Sequence, residues 1–117
     1  MRVFAVLTVV LAGLLAPAAV AGADRAPCER GEFCVWQTDS YRGLGYRMSL
    51  ETVNPGECVG LPAGFDGRSF VNRMRRPVTV YQGRTCSTEA EFDTYPGGGT
   101  YVPEAPSVVR AVQVWES

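Results

Sequence analysis

Four cysteines constrain this chain more than any other feature, because all of them follow an apolar N-terminal segment in a sequence of only 117 residues. A domain this small buries too little apolar surface to be stable on its core alone, so covalent cross-links add needed stability. An even number of cysteines in a short exported chain indicates disulfides rather than thiolate metal ligands. The sequence therefore predicts a disulfide-stabilised domain, with its cysteines at Cys28, Cys34, Cys58 and Cys86.

The cysteine spacing favours one of the three pairings that four cysteines allow. We favour Cys28–Cys34 with Cys58–Cys86, because Pro27 and Gly31 let the first loop close locally. The chain-entropy model gives roughly 2.4 kcal/mol for the short loop and roughly 3.6 kcal/mol for the longer one. The longer cross-link is therefore expected to stabilise the fold more, and spacing alone leaves the other two pairings open.

The N-terminal segment predicts a cleaved signal peptide. Arg2 precedes an apolar run from Val3 to Leu15, and small residues lead up to Ala23 in the pattern that signal peptidase cuts. The run is shorter than the about 20 residues that span a bilayer, so a membrane anchor is the weaker alternative. Cleavage after Ala23 assigns residues 1–23 to the signal peptide and residues 24–117 to a secreted, monomeric domain that is free of the membrane.

Composition argues against several classes of function. The chain contains no histidine and no lysine, so the commonest general base and a Schiff-base amine are both absent. Its formal net charge is −1, whereas nucleic-acid binding depends mainly on neutralising phosphates. The sequence is therefore predicted to be neither an enzyme nor a nucleic-acid-binding protein.

Short apolar runs separated by turns indicate an all-β domain. Strands are predicted at Phe33–Trp36, Tyr46–Leu50, Ser69–Arg73, Val78–Tyr81 and Val108–Trp115, with a flexible loop at Tyr95–Thr100. The run Phe33–Gln37 resembles Val78–Gln82, and each run begins one half of a weak internal repeat. Two similar units of about 40 residues predict two Greek-key motifs packed as a sandwich.

The same residues carry a resemblance to a known family. Val35–Gln37, Tyr41–Gly43 and Asp66–Ser69 resemble a βγ-crystallin-type Greek key. Within that fold, the Cys28–Cys34 segment and Arg68–Asn72 resemble the streptomycete metalloproteinase inhibitor family. The resemblance covers essentially the whole predicted mature chain. It implies a disulfide-stabilised, βγ-crystallin-like sandwich that inhibits secreted, thermolysin-like zinc proteinases.

The resemblance also implies an inhibitory loop within Gln82–Thr88, formed by Arg84, Thr85, Cys86, Ser87 and Thr88. A substrate-like loop that a disulfide and a β framework hold extended loses less entropy on binding. This sequence departs from the family pattern at two points. Ser87 is small and polar where a thermolysin-like enzyme prefers an apolar residue after the cleaved bond, and Cys86 lacks a nearby cysteine partner.

Calcium is a weak alternative cofactor. Many βγ-crystallin modules bind calcium through paired Asn or Asp residues and a Ser, but the stretch Phe65–Phe70 keeps only Asp66 and Ser69. Calcium takes six to eight oxygen ligands, so these two residues are predicted to close a turn instead. The alternative function is a non-inhibitory module that binds calcium, the cell wall or another protein.

Three further clusters have simple structural interpretations. The acidic segment Glu89–Asp93 is predicted to be an exposed loop, and the basic segment Arg73–Arg76 a solvated turn between the two halves. The aromatic residues Trp36, Tyr81 and Trp115 are predicted to pack in the core or at its edge.

Overall fold

Eight short strands make up residues 27–116, the part of the chain that the computed structural model describes. They are β1 (Phe33–Thr38), β2 (Arg42–Met48), β3 (Cys58–Gly60), β4 (Ser69–Asn72), β5 (Val78–Tyr81), β6 (Phe92–Tyr95), β7 (Thr100–Val102) and β8 (Ala111–Val114). Within these residues no helix has the length and apolar character needed to cross a membrane. The predicted signal peptide, residues 1–23, lies outside the described residues.

The strands form two four-stranded antiparallel sheets, ordered β2-β1-β4-β7 and β3-β8-β5-β6. The first half of the chain, β1 to β4, gives β3 to the sheet that otherwise contains strands of the second half. In the same way the second half, β5 to β8, gives its third strand, β7, to the sheet of the first half. The first strands of the halves, β1 and β5, occupy corresponding inner positions, in agreement with the internal repeat. The all-β prediction is therefore confirmed.

Alternate residues of the inner strands fill the space between the sheets. Phe33 and Val35 of β1 and Val78 of β5 have no exposed surface, and the Phe33 ring stacks on Phe70 with centroids 5.7 Å apart. The other face of β1 carries a smaller apolar cluster around Trp36 and the Cys28–Cys34 disulfide. Period-two alternation therefore places one face of β1 in the core and the other beneath a covalent cross-link.

The aromatic residues pack much as the sequence predicts. Trp36 and Tyr81 are buried. Trp115 is half-buried, and its indole N–H donates a hydrogen bond to the Thr79 hydroxyl at 2.7 Å. All three side chains therefore pack against the sheets.

The side chain of Asn72 organises the link between the two halves of the chain. It has no exposed surface, and its amide donates hydrogen bonds to the carbonyl oxygens of Arg76 (3.0 Å) and Pro96 (3.1 Å). Its Oδ1 accepts a hydrogen bond from the Met74 N–H at 3.1 Å. One buried amide thus holds both the β4–β5 link, residues 73–77, and the turn after β6.

Several strand boundaries differ from the sequence prediction. β2 ends at Met48 rather than Leu50, because Ser49 begins a turn in which its carbonyl oxygen accepts hydrogen bonds from Thr52 and Val53. β8 begins only at Ala111, and Val109 forms an isolated bridge instead.

The predicted bounds of the loop Tyr95–Thr100 are one residue too wide at each end. Tyr95 completes β6 through its pairing with Val78, and Thr100 begins β7 through its pairing with Asn72. Both strands are short and exposed, so their pairing with inner strands decides their structure more than their own residue pattern does.

We expect Asn72→Ala to lower the free energy of unfolding by roughly 2–4 kcal/mol, because each buried polar group left without a partner costs about 1–3 kcal/mol. Urea unfolding followed by tryptophan fluorescence measures the loss. Asn54→Ala, at an exposed turn position, is the matched control and should change stability by less than about 0.5 kcal/mol. Equal losses in the two variants would contradict the role given to Asn72.

Candidate functional site

The β5–β6 loop, residues 82–91, leaves and re-enters its sheet at a fixed point. The Gln82 N–H donates a hydrogen bond to the Glu91 carbonyl oxygen at 2.9 Å. In return, the Glu91 N–H donates to the Gln82 side-chain oxygen at 3.4 Å. These two hydrogen bonds form the neck of the loop, and every residue of β5 before it is buried. The loop therefore starts from a rigid base.

A disulfide ties the middle of the loop to the neighbouring strand. Cys86 is bonded to Cys58 of β3, and their Cα atoms lie 5.9 Å apart. The backbone also approaches β3 closely, because a Cβ atom on Gly60 would lie only 3.3 Å from the Arg84 carbonyl oxygen. The loop therefore rests on β3 at two adjacent points.

The loop turns at Cys86 and is not extended there. The Cys86 N–H donates to the Gly83 carbonyl oxygen at 3.3 Å, and Cys86 has a left-handed backbone with φ of 58°. Few residues other than glycine adopt that conformation, which costs about 1–2 kcal/mol. The turn and the disulfide together hold it. This geometry differs from the extended, substrate-like loop that the family resemblance implies.

The predicted inhibitory residues divide into an exposed group and a braced group. Arg84, Thr85 and Thr88 are exposed, whereas Cys86 and Ser87 are half-buried. The Ser87 hydroxyl accepts a hydrogen bond from the Glu89 N–H at 3.1 Å. A partner approaching this end of the sandwich would therefore meet the exposed group first.

One residue beside the loop has no predicted role beyond its place in the exposed segment Glu89–Asp93. Phe92, the first residue of β6, is 50% exposed, and its ring stacks on Tyr81 with centroids 6.0 Å apart. A groove lies between β6 and Pro106–Val108. The only signal in the sequence is an aromatic residue placed between the carboxylates of Glu91 and Asp93.

The acidic cluster is not a single loop. Glu89 and Glu91 lie in the exposed loop, as predicted, but Asp93 belongs to β6, where it pairs with Val80. The Asp93 carboxylate accepts a hydrogen bond from the Thr94 N–H at 2.9 Å. Burial, and then the nearby Asp93 charge, raise the pKa of Tyr95. The three carboxylates therefore lie on two different elements, the loop and β6.

Both weak calcium candidates are engaged by the protein itself. The Ser69 hydroxyl is fully buried, donates to the Thr38 carbonyl oxygen at 2.7 Å and accepts from the Tyr41 N–H at 2.9 Å. The Asp66 carboxylate accepts from Arg110 Nε at 3.0 Å. These contacts agree with a turn-closing role and leave few oxygen atoms to bind a cation.

The basic segment Arg73–Arg76 lies in the β4–β5 link between the two halves, as predicted. Arg73 donates to the Cys28 carbonyl oxygen at 3.0 Å. Because β5 runs from this link to the β5–β6 loop, the arginines lie at the other end of the strand. They belong to a different surface from the candidate site.

The cysteines form the pairing that the sequence favours, Cys28–Cys34 and Cys58–Cys86. Glu32 lies beside the first pair, but both sulfur atoms are bonded to each other and provide no thiolate ligand. No cysteine is free within the described range. The cysteines therefore act as cross-links.

Comparison with known proteins gives one finding. The model for peptidase inhibitor family I36 matches residues 21–92, which include both disulfides, the strands from β1 to β5 and the whole β5–β6 loop. No curated protein and no solved structure matches the chain.

The Asp66–Arg110 ion pair predicts a defined dependence of stability on pH. The hydrogen bond from Arg110 lowers the pKa of Asp66 below its ordinary value, against the opposing effect of burial. A lowered pKa stabilises the folded protein above the unfolded-state pKa, and that stability is lost as the pH falls through the folded-state pKa. We therefore expect Asp66→Asn to lower the Tm at pH 7 and to have no effect in strong acid.

Calorimetric scans from pH 7 to pH 2 measure this difference. Asp39→Asn removes the more exposed Asp39–Arg42 pair and should change the Tm less at pH 7. A difference between wild type and Asp66→Asn that stays constant down to pH 2 would rule out the ion-pair explanation.

Proposed function

Because the chain belongs to peptidase inhibitor family I36, the streptomycete metalloproteinase inhibitor family, we propose that it inhibits a secreted, thermolysin-like zinc proteinase through its β5–β6 loop. Family membership implies a proteinase as the partner and is consistent with a protein that is not itself an enzyme. Together with the two disulfides it indicates an extracellular protein. We further propose that residues 1–23 are removed on export and that the mature domain is a monomer.

The main support for this proposal is the bracing of the loop. It is fixed by the neck at Gln82 and Glu91, by the Cys58–Cys86 disulfide and by the turn from Gly83 to Cys86. A loop that is already ordered loses less conformational entropy when it binds, at about 0.5–1.5 kcal/mol per immobilised side chain. Rigid loops of this kind suit inhibitors, which must stay bound to the enzyme.

In this proposal the exposed and braced residues have different roles. Arg84, Thr85 and Thr88 contact the proteinase, because their side chains are free to do so. Cys86 and Ser87 hold the backbone beneath them in its turned conformation. The three exposed residues thus form the contact surface, and the two braced residues support it.

The turned backbone suggests how the loop resists hydrolysis. An extended peptide can align its backbone with a binding cleft, whereas the left-handed residue at Cys86 interrupts that alignment. Ser87 also lacks the apolar side chain that a thermolysin-like enzyme prefers. If the Cys86–Ser87 bond were cut, the disulfide would hold one end on β3 and β6 would hold the other. The loop therefore blocks the cleft as a poor substrate.

We also propose that the two sheets are the paired Greek-key motifs of a βγ-crystallin-like sandwich. The exchange of the third strand between the sheets supports this arrangement, because each half then places its fourth strand beside its first. The β5–β6 loop lies between the first and second strands of the second motif.

We expect the mature protein to inhibit a thermolysin-like proteinase at a near-stoichiometric ratio, and serine and cysteine proteinases much less. Arg84→Ala should raise the inhibition constant by at least about tenfold, since arginine is enriched among the few interface residues whose truncation costs about 2 kcal/mol or more. Replacing Cys58 and Cys86 together with serine should raise it further, because the loop loses its brace. Titration of each enzyme with a fluorogenic peptide substrate gives these constants.

Arg42→Ala is the matched control for Arg84→Ala, because it removes an exposed arginine from β2 in the other sheet. The inhibition constant of this variant should stay at the wild-type value. If folded wild-type protein inhibits no class of proteinase, the inhibitory function is wrong, and a non-inhibitory module for calcium, cell wall or a protein ligand takes its place.

A further inference from the structure

The free edge of β6 presents unpaired backbone groups to solvent. β6 is the outer strand of its sheet, so its backbone groups point alternately toward β5 and toward solvent. The Gln82–Glu91 hydrogen bond shows which residues point inward, and the alternation continues through the Val80–Asp93 and Val78–Tyr95 pairs. The N–H and C=O groups of Phe92 and Thr94 therefore point outward.

The end of this edge beside the loop is the more open to another strand. The outward N–H of Thr94 already donates to the Asp93 carboxylate at 2.9 Å. The outward N–H and C=O groups of Phe92 have no hydrogen-bond partner within residues 27–116. A charged side chain at a strand edge is a common device against unwanted pairing. Here it occupies the Thr94 N–H, whereas both outward groups of Phe92 stay open.

The Phe92 side chain presents a rigid apolar surface at the same place. The residue is half exposed, and its ring stacks on Tyr81. Tyr81 is itself fixed, because its hydroxyl donates to Gln113 of β8 at 2.7 Å. An aromatic ring with little freedom to lose is a typical anchor in protein interfaces.

A groove lies beside the same edge, on the core side of β6. Its lining joins the core-facing residues Val80, Tyr95 and Val109 to polar residues that include Glu91, Asp93 and Ser107. A side chain that follows an edge-paired residue could enter it. The lining favours an apolar side chain with a polar rim.

We propose that Phe92 and this groove form a second proteinase contact, where an extended segment of the enzyme pairs with the Phe92 backbone and places an apolar side chain in the groove. The inference rests on the proposed inhibitory function. Phe92 directly follows the loop neck at Glu91, so one body can contact both. A second copy of the chain fits less well, because it would bring another Asp93 carboxylate to the same edge.

Phe92→Ala tests this second contact. It should raise the inhibition constant by at least tenfold, mainly through faster dissociation of the complex, in an assay where wild-type protein inhibits. The matched control is Tyr101→Ala, which removes a 42% exposed aromatic ring from β7, the outer strand of the other sheet. The inhibition constant of this control should change by less than twofold.

Phe92→Leu keeps apolar cover over Tyr81 and serves if Phe92→Ala fails to fold. Its inhibition constant should lie between those of wild type and a tenfold-weakened variant. A folded Phe92 variant that inhibits as well as wild type overturns the second contact but leaves the inhibitory loop intact.

Two other results are equally decisive. Absence of inhibition by wild-type protein overturns the proposed function itself. Sedimentation that shows a dimer of the free inhibitor, lost in Phe92→Ala, assigns this edge to a second copy and overturns the proteinase contact.

Discussion

The disulfide between Cys58 and Cys86 joins the two halves of the chain and positions the loop on which the proposed function depends. β3 comes from the first half but pairs with β8 in the sheet of the second half. It is three residues long and mostly exposed, so its own burial contributes little to holding it in place. The cross-link closes a segment of 28 residues, which restricts the unfolded chain by roughly 3.6 kcal/mol. It also fixes the loop on β3 and sets the direction in which the chain turns at Cys86.

The inner strands and part of the outer strand β2 could be predicted from the sequence, whereas the outer strands β3, β6 and β7 could not. β1, β4 and β5 are runs of buried residues between clear turns, and the likeness of β1 to β5 indicated two similar halves. β3, β6 and β7 contain only three or four residues and carry no strong alternation of apolar and polar residues. Their structure comes from pairing with an inner strand that is distant in sequence. Such pairing is a tertiary effect, which local pattern cannot supply.

The candidate site was predictable in position but not in shape. The family resemblance and Cys86 indicated the loop, and the small number of oxygen ligands around Asp66 and Ser69 favoured a structural role for them. The turned backbone at Cys86 depends on a disulfide to β3 and on the Gly83 carbonyl oxygen, so no residue preference would indicate it. The open edge at Phe92 depends on which groups of the β-ladder point outward, and the sequence does not specify that register.

In the proposed function, the braced loop and the open edge of β6 form the proteinase-binding end of the sandwich, opposite the arginine-rich β4–β5 link. Hydrogen–deuterium exchange of the inhibitor, alone and with a thermolysin-like proteinase, tests this arrangement most directly. The account predicts that complex formation slows exchange in residues 83–92 and leaves β2 and the β4–β5 link unchanged. Slower exchange confined to β2 or to the arginine-rich link, with none in the loop, would contradict it.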